Sequence, residues 1–170
     1  MKYTIGVILF VLFGIGTYAH WPSPRIPAGT VVDTIVVYKS QRKLVLFRDS
    51  VILKEYAVAL GGHPLGPKTE EGDKKTPEGS YVVDYRKLDS SFHLALHISY
   101  PNEQDKRQAA AGGVSPGGLI MVHGVRNGFG VLGRLHRLVD WTDGCIAVTN
   151  SEIEEIVDTV TNGTTIIIHA

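Results

Sequence analysis

Apolar positions in this chain fall into short blocks, and their period changes several times between the termini. Ile35-Val36-Val37-Tyr38, Leu44-Val45-Leu46-Phe47 and Val51 to Leu60 are β-branched or aromatic runs split by turn residues, and each predicts a strand. Tyr81-Val82-Val83-Asp84-Tyr85 predicts another. From Phe92 to Tyr100 the alternation is clean. Phe92, Leu94, Leu96, Ile98 and Tyr100 share one face and His93, Ala95, His97 and Ser99 the other, as in a strand with one buried face. Helical spacing is rarer. Glu103 to Ala111 follows Pro101-Asn102 and stops at Gly112-Gly113. Leu132, Leu135, His136 and Val139 are spaced for a second helix. Ile153, Ile156, Val157 and Val160 mark a third, with Ser151 and Glu154 as its capping box and Asn162-Gly163 as its end. Thr164 to His169 then returns as a strand. The pattern predicts one mainly β domain with a few short helices, starting near Val31 and running to residue 170.

The N-terminal segment differs in kind. Lys2 precedes an uncharged apolar run from Tyr3 to Ala19, and the next charged side chain is Arg25. A cation followed by a short apolar stretch reads as a secretion signal, with Thr17-Tyr18-Ala19 loosely fitting a small-x-small cleavage site. The run is shorter than the roughly 20 residues that span a bilayer comfortably, yet left uncut, residues 3–19 would serve as an anchor in the inner membrane. Lys2 on the cytosolic side places the rest outside that membrane. The expected address is therefore the periplasm or cell envelope, with membrane contact only through this segment. Residues 20–30, including Pro22, Pro24 and Pro27, read as an extended spacer between the segment 1–19 and the domain 31–170.

Charge narrows the partners. Lys plus Arg equals Asp plus Glu at 17 each, so the formal net charge is zero and no basic excess exists to bind nucleic acid. Of 170 residues one is cysteine, Cys145. A lone thiol in an exported chain has no internal disulfide partner, so it is either buried and inert or kept for its reactivity. Its neighbourhood favours reactivity. In Trp141-Thr142-Asp143-Gly144-Cys145-Ile146-Ala147 the thiol follows a glycine, and backbone N–H groups at such a turn can converge on an oxyanion. A thiolate needs a base, and Ile120-Met121-Val122-His123-Gly124 supplies one: an apolar strand ending in His beside Gly. Whether His123 and Cys145 meet depends on the fold. His93 and His97 have the spacing of a helical zinc pair, but on a strand they lie roughly 13 Å apart and cannot share an ion. They read instead as strand-face residues, with lining of the cleft as one use. His136 and His169 read as structural.

The Cys and His segments resemble the L,D-transpeptidase catalytic-domain (YkuD-like) family, whose signature is a His, a spacer, then Ser/Thr-His-Gly-Cys. His123-Gly124 and Thr142-Asp143-Gly144-Cys145 match it here. So do Leu60-Gly61-Gly62, Gly66-Pro67-Lys68, Glu71-Gly72-Asp73, Thr76-Pro77-Glu78-Gly79 and Tyr100-Pro101-Asn102, in the family's order, over about residues 31–170. Asp143 stands where His is usual, Ala147 where Arg or Asn is common, and 18 residues separate His123 from Thr142. Trp-Thr-Asp-Gly-Cys-Ile-Ala therefore looks like a subgroup pattern. The resemblance implies a β-sandwich or barrel-like fold with the upstream loops bordering the substrate groove. It implies peptidoglycan stem peptides as substrate, Cys145 as nucleophile and His123 as base. Backbone N–H groups around Gly144 and Cys145 would hold the oxyanion, Gly124 would position His123, and Thr142 belongs to the same turn. Asp143 reads as a turn residue, with orientation of His123 or of a substrate amine as the alternative. No metal or organic cofactor is expected. The acyl-enzyme would pass to an amine, giving a cross-link or attaching a wall lipoprotein. The rival readings are a peptidoglycan hydrolase using water, and a non-catalytic wall-binding module.

Overall fold

The computed structural model describes residues 2–170. Lys2–Ala19 forms helix α1, whose side chains from Thr4 to Tyr18 are exposed while Ala19 is buried. No helix among the described residues is long and apolar enough to cross a membrane. Eight strands follow among the described residues: β1 (Val32–Tyr38), β2 (Lys43–Arg48), β3 (Val51–Ala57), β4 (Gly79–Ser90), β5 (His93–Ile98), β6 (Met121–His123), β7 (Ile146–Ala147) and β8 (Val160–His169). Helix α2 is Glu103–Ala111 and helix α3 is Asn150–Thr159. Gly130–Leu138 is a 3₁₀ segment broken at Gly133 rather than the α-helix its apolar spacing predicts.

The strands form a single curled sheet in the order β3-β2-β1-β8-β4-β5-β6-β7. Val51 to Leu60 is not one strand. β3 ends at Ala57, and the chain then crosses to the opposite edge, where Ala59 and Ala147 exchange backbone hydrogen bonds of 2.9 and 2.8 Å. A second bridge joins Gly61 to Thr142. The segment after β3 thus ties one end of the sheet to the other at two points, and the curled sheet forms a half-barrel. Inside the curl, alternate residues of the central strands make the core: Ile35 and Val37 from β1, Leu44 and Leu46 from β2, Leu96 and Ile98 from β5, Ile166 and Ile168 from β8.

Alternation in β5 does not mean a solvent face. Ala95 is fully buried, because α3 covers that side, and His93 Nε2 lies 2.8 Å from Glu154 on α3. Nor does Ser151 cap α3. The N-cap is Thr149, whose N–H donates to Glu152 at 2.9 Å, and Glu154 is taken by His93. The same helix stops at Thr159, before Asn162-Gly163. Val160 already pairs with Val32 of β1, and Thr165 with Thr34, so Asn162-Gly163 sits in an extended bulge within β8.

Residues 20–30 run along the domain surface. Glu155 of α3, a buried carboxylate, accepts from the Ile26 N–H at 2.5 Å, from Lys54 Nζ at 2.6 Å and from the Tyr56 hydroxyl at 2.9 Å. The Pro24 carbonyl accepts a second bond from Lys54, 2.5 Å long.

Candidate active site

Strands β6 and β7 run parallel, with Val122 beside Ile146 and His123 beside Ala147. Val122 and Ile146 have no exposure and belong to the core. Side chains alternate along a strand, so Met121, His123 and Cys145 project from the other face. A strand spacing of about 4.8 Å and a two-residue rise of about 6.6 Å put the Cα atoms of His123 and Cys145 about 8 Å apart, a gap that these two side chains can close between them. Both line one cavity of about 730 Å³, whose walls are mostly apolar and include Phe92, Phe129, Leu132 and Trp141. Lys87, Arg126 and Asp143 are the charged residues at its surface.

His123 is buried, and its Nδ1 lies 2.7 Å from the Gly124 carbonyl. A carbonyl only accepts, so Nδ1 carries the proton and Nε2 keeps a free lone pair. The bond requires close approach at Gly124: a Cβ there would stand 2.8 Å from Asn150 Oδ1 and 3.0 Å from the Phe92 carbonyl. Burial holds the imidazole pKa below its ordinary value, against the opposing effect of the Gly124 bond.

Cys145 is half-buried, and its thiol donates weakly to the Leu119 carbonyl at 3.6 Å. Burial pushes its pKa up to about 11, and the charge of Asp143 adds to this, while the Met121 backbone N–H works the other way. The turn before it is tied by Thr142, which is buried. Its hydroxyl donates to the Cys145 carbonyl at 2.7 Å and accepts the Gly144 N–H at 3.2 Å. Gly144 sits at φ +121°, where an added Cβ would stand 2.5 Å from the Lys75 carbonyl, so no other residue fits this corner.

Of the six residues singled out in the sequence, all gather here, with differing parts. His123, Cys145, Thr142 and Asp143 line the cavity; Gly124 and Gly144 adjoin two of them in the chain and do not line it. The Gly144 N–H is bonded to Thr142, so it is not an open donor for an oxyanion. Asp143 is exposed, and the group that orients His123 is the Gly124 carbonyl. The upstream loops do not border this cavity. They pack behind the turn, stiffened by a buried Lys68–Asp73 ion pair of 2.8 Å and by Lys39, which donates to Gly66, Thr76 and Glu78. His93 and His97 lie off the cavity and take separate carboxylates, Glu154 and Asp84. No cluster of His, Cys, Asp or Glu able to hold a metal occurs among the described residues. Sequence reasoning missed Phe92, Trp141 and His136 as walls; Trp141 stood in the quoted motif and was the one available signal.

A family model described as the YkuD L,D-transpeptidase catalytic domain matches residues 32–168. The protein named "Putative L,D-transpeptidase YafK" from Escherichia coli (strain K12) is 31% identical over 134 residues, which cover 75% of this chain and 46% of that protein. The chain thus spans about half the length of the curated relatives it matches. Among solved structures, the K307A mutant of the helical cell shape determining protein Pgp2 from Campylobacter jejuni superposes with a TM-score of 0.65 at 25% identity, covering 84% of this chain and 48% of that one. Bd1075 of Bdellovibrio bacteriovorus gives 0.56 at 26%, covering 86% and 53%.

Proposed function

The chain belongs to the L,D-transpeptidase catalytic-domain family, and from that premise we propose that it is a cysteine acyltransferase acting on peptidoglycan stem peptides. Cys145 is the nucleophile and His123 the base. The observation that carries this is the orientation of His123: on the same sheet face as the thiol, in the same cavity, with its Nδ1 proton engaged by Gly124 and its Nε2 lone pair free.

Sγ of Cys145 attacks the carbonyl of the bond between an L-centre and the terminal D-residue, and its proton passes to His123 Nε2. Negative charge gathers on the carbonyl oxygen. With the Gly144 N–H held by Thr142, the Cys145 N–H is the nearer donor for it. The tetrahedral species collapses, the C–N bond breaks, and the departing amine takes the proton from His123. An amine acceptor then attacks the thioester and regenerates the thiol. That acceptor is a second stem peptide or a wall lipoprotein. We read Trp141 to Ala147 as a subgroup signature, residues 1–19 as an export segment, and the cell envelope as the place of action.

The test is incubation of the full chain with stem tetrapeptides, with and without an amine acceptor, followed by product masses. Release of a D-amino acid and an acceptor adduct are expected, both lost in Cys145→Ala. Unchanged turnover in that variant overturns the assignment. Product formed only by water addition, whatever the acceptor, replaces transfer by hydrolysis.

A further inference from the structure

Rings enclose the base on two sides. Phe92 stacks obliquely on the His123 imidazole at 4.5 Å between centroids, and Trp141 meets it edge-on at 5.8 Å. Trp141 is met in turn by His136, at 6.2 Å and 85°, and the indole N–H donates to His136 Nδ1 at 3.3 Å. An indole N–H only donates, so Nδ1 bears the lone pair and the His136 proton lies on Nε2. That Nε2 is buried and has no partner among the described residues. A buried unpaired donor is destabilising. Leucine or methionine would suit this mostly apolar wall without it. What imidazole supplies and an alkyl chain cannot is an acceptor for Trp141. Burial, with Arg137 beside it, pushes the His136 pKa down to about 4, so the acceptor lone pair persists at neutral pH.

We propose that His136 and Trp141 are positioning residues for His123: the hydrogen bond fixes the indole, and the fixed indole keeps the His123 ring in its dry seat with Nε2 toward Cys145. The proposal deepens the reading of His123 as base and rests on it. Freed from His136, the indole has the 730 Å³ cavity to swing into, and water then reaches the imidazole. The other titratable or charged groups lining the same cavity are Asp143 and Cys145 just before β7, Arg126 after β6, Lys87 on β4 and His136. Beyond the rings stand Arg137 and, on α3, Glu152 and Glu154. Burial is the main influence on His123 itself, so wetting the ring raises its pKa.

The experiment is an NMR titration of the His123 ring in the full-length protein, paired with the pH profile of kcat/KM on stem peptide. His136→Leu and Trp141→Phe both remove the hydrogen bond, and Trp141→Phe keeps an aromatic ring if the leucine variant does not fold. Each is expected to raise the His123 titration toward the ordinary value. His136→Asn, whose side-chain oxygen can accept from the indole, is expected to restore the wild-type titration. An unmoved titration in both hydrogen-bond-deleting variants, or an asparagine variant no different from leucine, overturns the proposal. If the titration moves but the acid limb of kcat/KM does not follow it, the positioning by Trp141 stands and His123 loses its role as base.

Discussion

Thr142→Val keeps the shape of the side chain and removes its hydroxyl, and with it both bonds that tie the corner before Cys145. The Gly144 N–H loses its acceptor at 3.2 Å and the Cys145 carbonyl loses its donor at 2.7 Å. Thr142 is 4% exposed and Gly144 is buried, so water does not replace the hydroxyl without a rearrangement. A buried backbone group left unpaired costs about 1–3 kcal/mol. Two of them give about 3 kcal/mol in all, or a fall in Tm of roughly 6–12 °C for a domain of this size. Relaxation of the corner also moves the Cys145 N–H, the oxyanion donor of the proposed mechanism, and displacing such a donor costs about 10²-fold in rate. Thr142→Ser keeps the hydroxyl and loses one methyl group, worth about 1 kcal/mol. Urea unfolding followed by tryptophan fluorescence measures the first effect, and acylation by a stem peptide the second. A valine variant within 0.5 kcal/mol of wild type by the scale of ordinary surface changes, or a serine variant as impaired as valine, refutes the role given to this hydroxyl.

The histidines set a limit in acid. His123 and His136 are buried with pKa values held below the unfolded value, His136 at about 4 against 6.5. The unfolded chain takes up protons that the folded chain resists, so stability present at pH 7 is lost as pH falls from 6.5 toward 4, by about 3 kcal/mol for His136 alone; urea midpoints at several pH values read it, and His136→Asn should flatten the slope. Asp143→Asn removes a charge that raises the Cys145 pKa, so iodoacetamide should modify the variant faster at pH 8, and an equal or slower rate contradicts the assignment. At the N-terminus, removal of residues 1–19 should leave Tm nearly unchanged in the rest of the domain, whereas removal of 1–27 strips the Ile26 N–H from Glu155 and the Pro24 carbonyl from Lys54 and should cost about 1–3 kcal/mol; equal melting of the two truncations shows the spacer contact to be idle.

Local patterns were readable where local forces decide. Helix α2 falls on Glu103–Ala111 as expected, because Asn102 caps it locally by bonding the N–H groups of Gln104 and Asp105, and the Tyr81 hydroxyl on Asp105 leaves that cap in place. Cap choice at α3 was not readable. Thr149 with Glu152 and Ser151 with Glu154 fit the same spacing, and the decision is tertiary: Arg137 pairs with Glu152 while His93 takes Glu154. Alternation in β5 could not reveal that α3 covers the second face, since alanine and histidine suit either setting. The link between the sheet's ends rests on two isolated bridges, Ala59 to Ala147 and Gly61 to Thr142, too short to carry a period. The docking of the spacer uses backbone groups, among them the Ile26 N–H and the Pro24 carbonyl, which carry no side-chain pattern. Cys145 and His123 were legible as chemical types, and the His136–Trp141 contact was not, because it joins residues whose pairing only the fold defines.

Burial acts on both members of the proposed pair in the same sense. It penalises thiolate on Cys145, pushing the pKa up to about 11, and imidazolium on His123, holding the pKa down. At pH 7 the resting pair is therefore thiol and neutral imidazole, not an ion pair. Proton transfer before attack would set two charges among Phe92, Leu132 and Trp141, where their desolvation is costly. Transfer that accompanies C–S bond formation avoids this, because the negative charge moves on to the carbonyl oxygen and toward a backbone N–H. The seating of the substrate also displaces water from the apolar walls, which strengthens that interaction. Low reactivity of the free thiol toward small alkylating agents and high reactivity toward a carbonyl seated in the cavity thus follow from one cause, the burial of both groups.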